Sequence, residues 1–176
     1  MLAKDSSSVN AMGGTELLKF RLASFVPEDL AQQFQIFVSR VEEPLDPTKI
    51  RLLWIHDLPG DPASDHLHNQ GWRKFHKIIF VSHWQQQMFI NHYGIPFSHC
   101  VVLENAIDPI PTHTKPKTGP IRLAYWSTPH RGLDLLLQAF PYLDKRYNIM
   151  LDIYSSFQLY GWRDRDQQYE DLFRSE

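Results

Sequence analysis

Six short apolar runs recur along the 176-residue chain: FQIFVSR, IRLLWIH, KIIFVS, HCVVLEN, IRLAYW and NIMLDIY. Their alternation with stretches of helical spacing constrains the fold more than any other feature. IRLLWIH is almost continuously apolar, which predicts a strand buried on both faces, as in a parallel sheet. ELLKFRLASF places Leu18, Leu22 and Phe25 on one helical face, just after Gly13 and Gly14. Ser82-His83-Trp84-Gln85 has the form of a capping box and predicts a helix that leaves the third strand directly. Pro129 to Phe140 predicts another helix, because Leu133, Leu136, Leu137 and Phe140 fall at helical spacing. DRDQQYEDLF predicts a last one. Such alternation predicts an α/β protein with parallel sheets of the doubly wound kind, built twice.

The run DPIPTHTKPKTGP interrupts the pattern. Its prolines and polar residues exclude a helix and a central strand, so it reads as a linker between two lobes. The expected division is a first lobe over residues 1–107, a linker over 108–119 and a second lobe over 120–176. Both lobes read as incomplete or reduced. No strand precedes Gly13 and Gly14, and roughly two strand–helix units follow the linker, short of a usual ~100-residue domain.

Composition excludes several classes. Lys+Arg 18 against Asp+Glu 20 gives neither a basic nucleic-acid surface nor an acidic disordered tail. A hydrophobic share of 43% is enough for real cores. The lone Cys100 excludes an internal disulfide framework and fits a reducing compartment. No apolar run approaches the ~20 residues of a spanning helix, and MLAKDSSSVNAMGG has no signal-peptide core. The expectation is a soluble, cytoplasmic protein.

The stretch YWSTPHRGLDLLLQAF carries the first candidate site. Thr128 is a good N-cap, with Pro129 then at the first helical position. Arg131 falls in the first turn, where a cation is mildly unfavourable against the helix dipole. A bound anion reverses that balance, since free amides, the dipole and a guanidinium would converge on a phosphate. The junction also lies at the carboxyl end of a strand, where ligands of doubly wound sheets bind. A solvated arginine on a capped helix and a phosphate ligand are both open readings here.

STPHRGLDLLLQAFPYL resembles the start of the donor-binding lobe in retaining glycosyltransferases of the two-lobed GT-B fold. In that family a Lys or Arg before a glycine, at the head of an apolar helix, binds the diphosphate of a nucleotide-sugar. Three further stretches agree in order and spacing. MGGTELLKFRLA is similar to the glycine-rich loop of the acceptor lobe, KIIFVSHWQQQMFINHYGIP resembles the family's strand–Ser–helix unit, and VVLENAIDP its Asn-Gly-Ile-Asp strand end. The resemblance spans roughly Met12 to Tyr154. The chain departs from the pattern at three places. No second basic residue stands among Tyr125, Trp126, Ser127 and Thr128, Ala106 replaces a common glycine, and the Glu-x7-Glu segment lies beyond the region matched.

The resemblance implies transfer of a sugar from a nucleoside-diphosphate sugar to an acceptor hydroxyl, with retention and without metal or other cofactor. It assigns the diphosphate to Thr128, His130, Arg131 and Gly132, with the amides at His130 and Arg131 as donors. Gly13 and Gly14 would bring amides to the phosphates from the other lobe, across one shared cleft. Without the Glu-x7-Glu carboxylates, weak or absent turnover is expected of the chain alone.

His56 and Asp57 end a strand and are the catalytic candidates, placed to contact acceptor or reacting sugar. A rival class is a metal-dependent hydrolase using Asp61, Asp65, His66 and His68. A third is a non-catalytic remnant that binds a nucleotide or a partner, with a homodimer covering exposed edges as one expected form. Cys100 reads as a buried small hydrophobe. Trp54, Trp72 and Trp84 read as packing residues, and Trp126 and Trp162 as candidate sugar platforms.

Overall fold

A computed structural model describes residues 13–114 and 118–174. Met12 and the serine run near the start lie outside the described residues. The chain divides into two compact units, the first from Gly13 to Asp108 and the second from Pro109 onward. Among the described residues no helix is long and apolar enough to cross a membrane.

The first unit is α/β. Its helices are α1 (Gly14–Phe25), α2 (Glu28–Ala31) and α3 (His83–Tyr93). Its strands are β1 (Phe34–Val38), β2 (Ile50–Ile55), β3 (Lys77–Phe80) and β4 (Cys100–Val102), all parallel and ordered β1-β2-β3-β4. The order is compatible with part of a Rossmann-like sheet. The reversal that marks a doubly wound sheet is not among these strands.

Register explains the core. Phe37 pairs with Leu53, Leu53 with Ile78, and Ile78 with Cys100, while Ile55 pairs with Phe80 and Phe80 with Val102. These residues share one face, because side chains alternate along a strand. Phe89 and Tyr93 of α3 pack there with Leu67, Trp72, Phe75 and Ile95. Gln35 is buried on β1, and its amide binds Glu43, the Pro44 carbonyl and the Asp46 amide at 2.7–2.9 Å. Those bonds fold the β1–β2 connection back onto the sheet without a helix.

Helix α3 starts as expected, with a shifted cap. The Gln85 amide donates to Ser82 Oγ at 3.1 Å, but Gln85 Oε1 accepts from Val81 rather than from Ser82 itself. The inward residues of α3 are Gln85, Gln86, Phe89 and Tyr93, which leaves Trp84 on the outer face at 60% exposure. The packing role expected of Trp84 is therefore wrong, whereas Trp54 and Trp72 are buried. Helix α1 buries none of its residues, and Phe25 is exposed. Cys100 is half-buried, and burial pushes its thiol pKa up.

In the second unit, β5 (Ile121–Trp126) and β6 (Ile149–Tyr154) form a parallel pair. Between them a 3-10 turn, Pro129–Arg131, precedes α4 (Leu133–Asp144). The expected helix was Pro129 to Phe140, so both ends differ. At the start, the Arg131 amide bonds to the Thr128 carbonyl at 3.1 Å. Gly132 then turns to φ 93°, a left-handed value that glycine adopts without a side-chain clash, and the α-helix begins after it. At the far end, α4 runs through Pro141, which has no amide to donate and whose ring crowds the carbonyl one turn earlier. The last predicted helix is mostly a 3-10 segment, Arg163–Tyr169, with a short α5 (Glu170–Phe173). Asp166 in that segment turns inward, taking bonds from Ser156 Oγ at 2.5 Å and the Phe157 amide at 2.8 Å.

Candidate functional site

The strand ends of the second unit build a cleft. β5 finishes at Trp126 and β6 at Tyr154, directly opposite in register. Beyond β5 comes the Ser127–Thr128 step and the 3-10 turn. Beyond β6 come Ser155, Ser156 and a second 3-10 turn, Phe157–Tyr160, whose start is capped by Ser156 Oγ on the Gln158 amide at 2.9 Å. Asp166 pins this wall from behind. The cleft is open to solvent, has a volume of about 630 Å³ and is lined by Trp126, Thr128, Arg131, Tyr154, Ser155 and Tyr160, among others. That volume suits a small organic ligand.

Two lining hydroxyls lack partners among the described residues. Thr128 is buried at 4% exposure, yet its Oγ1 makes no hydrogen bond and does not cap the turn. Ser155 Oγ is likewise buried and unpaired. Buried polar atoms are seldom left so, because desolvation without a partner costs roughly 1–3 kcal/mol. The Thr128 carbonyl, by contrast, takes both Tyr125 Oη at 3.0 Å and the Arg131 amide at 3.1 Å. Arg131 is exposed, and its guanidinium has no ion-pair or hydrogen-bond partner among the described residues. The residues lining the cleft thus include a cation and two whose hydroxyls are buried and idle.

This geometry revises the argument for Arg131. It lies in the 3-10 turn before α4, not in the helix's first turn, so the dipole penalty expected of it does not apply. The first turn of α4 carries Asp134 instead, an ordinary favourable placement. The Arg131 amide is used internally, and the His130 ring stacks on Phe157 at 5.2 Å between centroids. Thr128 and Arg131 line the cleft; His130 and Gly132 shape the turn behind them.

The remaining candidates sit in the first unit. Gly13 caps α1 with an extended backbone, and Gly14 opens the helix with clear space where a side chain would go. Neither conformation demands glycine. His56 follows β2, with its amide bonded to Ser39 Oγ at 3.2 Å and its ring 4.8 Å from that of Trp54. Burial lowers the His56 pKa, only partly offset by Asp57. Among the described residues, His56 Nε2 is buried and without a partner, as is Trp54 Nε1. The Asp57 carbonyl accepts from Gln85 at 2.8 Å.

The metal-ligand candidates disperse. Asp61 caps a 3-10 turn, Pro62–Leu67, through the Ala63 amide at 2.8 Å. His66 turns inward against Phe75, with its pKa lowered by burial. His68 packs on Tyr93 and lies 4.0 Å from Asp65. Among the described residues, no three His, Cys, Asp or Glu side chains come together as a metal site.

Ser155, Ser156 and Asp166 escaped the sequence reading. A Ser-Ser pair after a strand has no distinctive spacing, and Asp166 acts across a gap of ten residues. No protein-family model matches the chain, and no curated protein matches it.

Proposed function

We propose that the second unit is the donor half of a glycosyltransferase-like protein of the two-lobed GT-B type. Its cleft holds the diphosphate of a nucleoside-diphosphate sugar, whose sugar passes to an acceptor hydroxyl with retention. The observation that carries this reading is that Thr128 and Ser155, whose buried hydroxyls lack partners among the described residues, line the same cleft as Arg131, which is also unpaired among them. A diphosphate supplies the acceptor oxygens that both hydroxyls lack and the charge that the guanidinium lacks. As the sugar bond breaks, negative charge grows on the leaving diphosphate, and donors already in place stabilise it without reorganising. The first unit takes the acceptor side in this proposal, with His56 and Asp57 at its strand end.

Thr128→Val tests the reading directly, because it replaces the hydroxyl by a methyl of similar shape. Binding of uridine or guanosine diphosphate should weaken by about 1.5–3 kcal/mol, the range for a hydrogen bond to a charged group. Stability should hold or rise, since an unpaired buried hydroxyl disappears. Calorimetry and urea unfolding on both proteins measure the two effects. Unchanged affinity in a variant that is less stable would mean that Thr128 is a packing residue.

A further inference from the structure

The cleft has an aromatic end that the phosphate reading does not use. Trp126 and Tyr154 are register partners across β5 and β6, so their side chains leave the same face of the sheet. Their rings meet edge to face, with centroids 6.4 Å apart at 62°. Both line the cleft, yet they stay 76% and 63% exposed. Neighbouring positions on that face do not form a core around them, because Arg122 and Asp152 pair there at 2.7 Å. Trp162, the other platform candidate, is braced by Arg165 and Tyr160 and does not line the cleft.

We infer that Trp126 and Tyr154 form the shelf on which the nucleobase of the bound diphosphate stacks. The tilted contact with Tyr154 braces the indole while most of its surface stays open to solvent. A nucleobase presents a flat π surface to the indole, and every base has one, so stacking is strong without selecting a sequence of polar contacts. The hydroxyls and the guanidinium line the same cleft and take the phosphates, so one ligand spans both kinds of surface. Trp126 thereby reads the nucleoside part of the ligand, while Arg131 reads its charge. This assignment rests on the diphosphate reading of the cleft.

Calorimetry on the full chain separates the two. The probes are uridine diphosphate, guanosine diphosphate, inorganic pyrophosphate and glucose 1-phosphate. Trp126→Ala, at an exposed position, should weaken both nucleotides by about ten-fold, in the range of base–aromatic stacking. Pyrophosphate and glucose 1-phosphate should be unaffected, and Trp126→Phe should restore most of the nucleotide affinity. Equal losses for pyrophosphate would show that the indole acts through the phosphate end and overturn the shelf. A loss confined to glucose 1-phosphate would make it a sugar platform and overturn it too. Nucleotides bound no tighter than pyrophosphate by the parent protein would defeat the shelf while sparing the phosphate site. No binding of any probe would sink both.

Discussion

Phe89→Ala should destabilise the first unit by about 3–5 kcal/mol, the range for truncating a buried phenylalanine. Phe89 is fully buried on α3, and its ring lies 5.4 Å from those of Phe80 and Tyr93. Phe80 is a sheet residue and Tyr93 closes the helix, so the ring is the joint between α3 and the strands. Domains hold only about 5–15 kcal/mol of net stability, so one such cavity removes a large part of it. Urea unfolding followed by tryptophan fluorescence reads the effect, because Trp54 and Trp72 are buried in this unit. Phe89→Leu should recover a good share. A loss below about 1 kcal/mol would mean that α3 is not held by this contact.

Arg131→Ala should weaken binding of a nucleoside diphosphate by about one to two decades, from a charged hydrogen bond of roughly 1.5–3 kcal/mol. Fold stability should scarcely change, because the side chain is exposed and its guanidinium pairs with nothing among the described residues. Arg131→Lys should recover part of the affinity, since it restores the charge but not the planar fork that grips phosphate oxygens. Calorimetry with uridine and guanosine diphosphates decides. Equal affinity in parent and alanine variant would return Arg131 to a solvated surface charge. A binding loss accompanied by unfolding would assign it a structural role instead.

What the amino acids disclosed depended on how far each interaction reaches along the chain. The strands were legible because burial demands continuous apolar residues over a few positions, and Ile121–Trp126 forms over the stretch read for it. The junction at Thr128 and Pro129 was legible as the entry to a helix, but the helix start was misplaced. The signal was present in Gly132, whose left-handed backbone ends the turn and delays α4. Trp84 was misjudged because the helix phase set by Phe89 and Tyr93 turns it outward. The cleft itself was half visible. Arg131 and Thr128 stood out beside a strand end, whereas the opposite wall depends on Asp166 reaching back to Ser156. A contact of that kind leaves no periodicity to read.

The central claim is that the strand ends of the second unit bind a nucleoside diphosphate through Arg131 and idle hydroxyls. Amide chemical-shift mapping during titration with uridine diphosphate or guanosine diphosphate tests it most directly, because it locates the ligand without relying on a variant. The account predicts saturable shifts centred on Ser127, Thr128, Arg131, Ser155 and Ser156, all of which line the cleft. Saturable shifts that leave these five amides still and gather around His56 and Gly13 would contradict it, as would no saturable shift at all with either nucleotide.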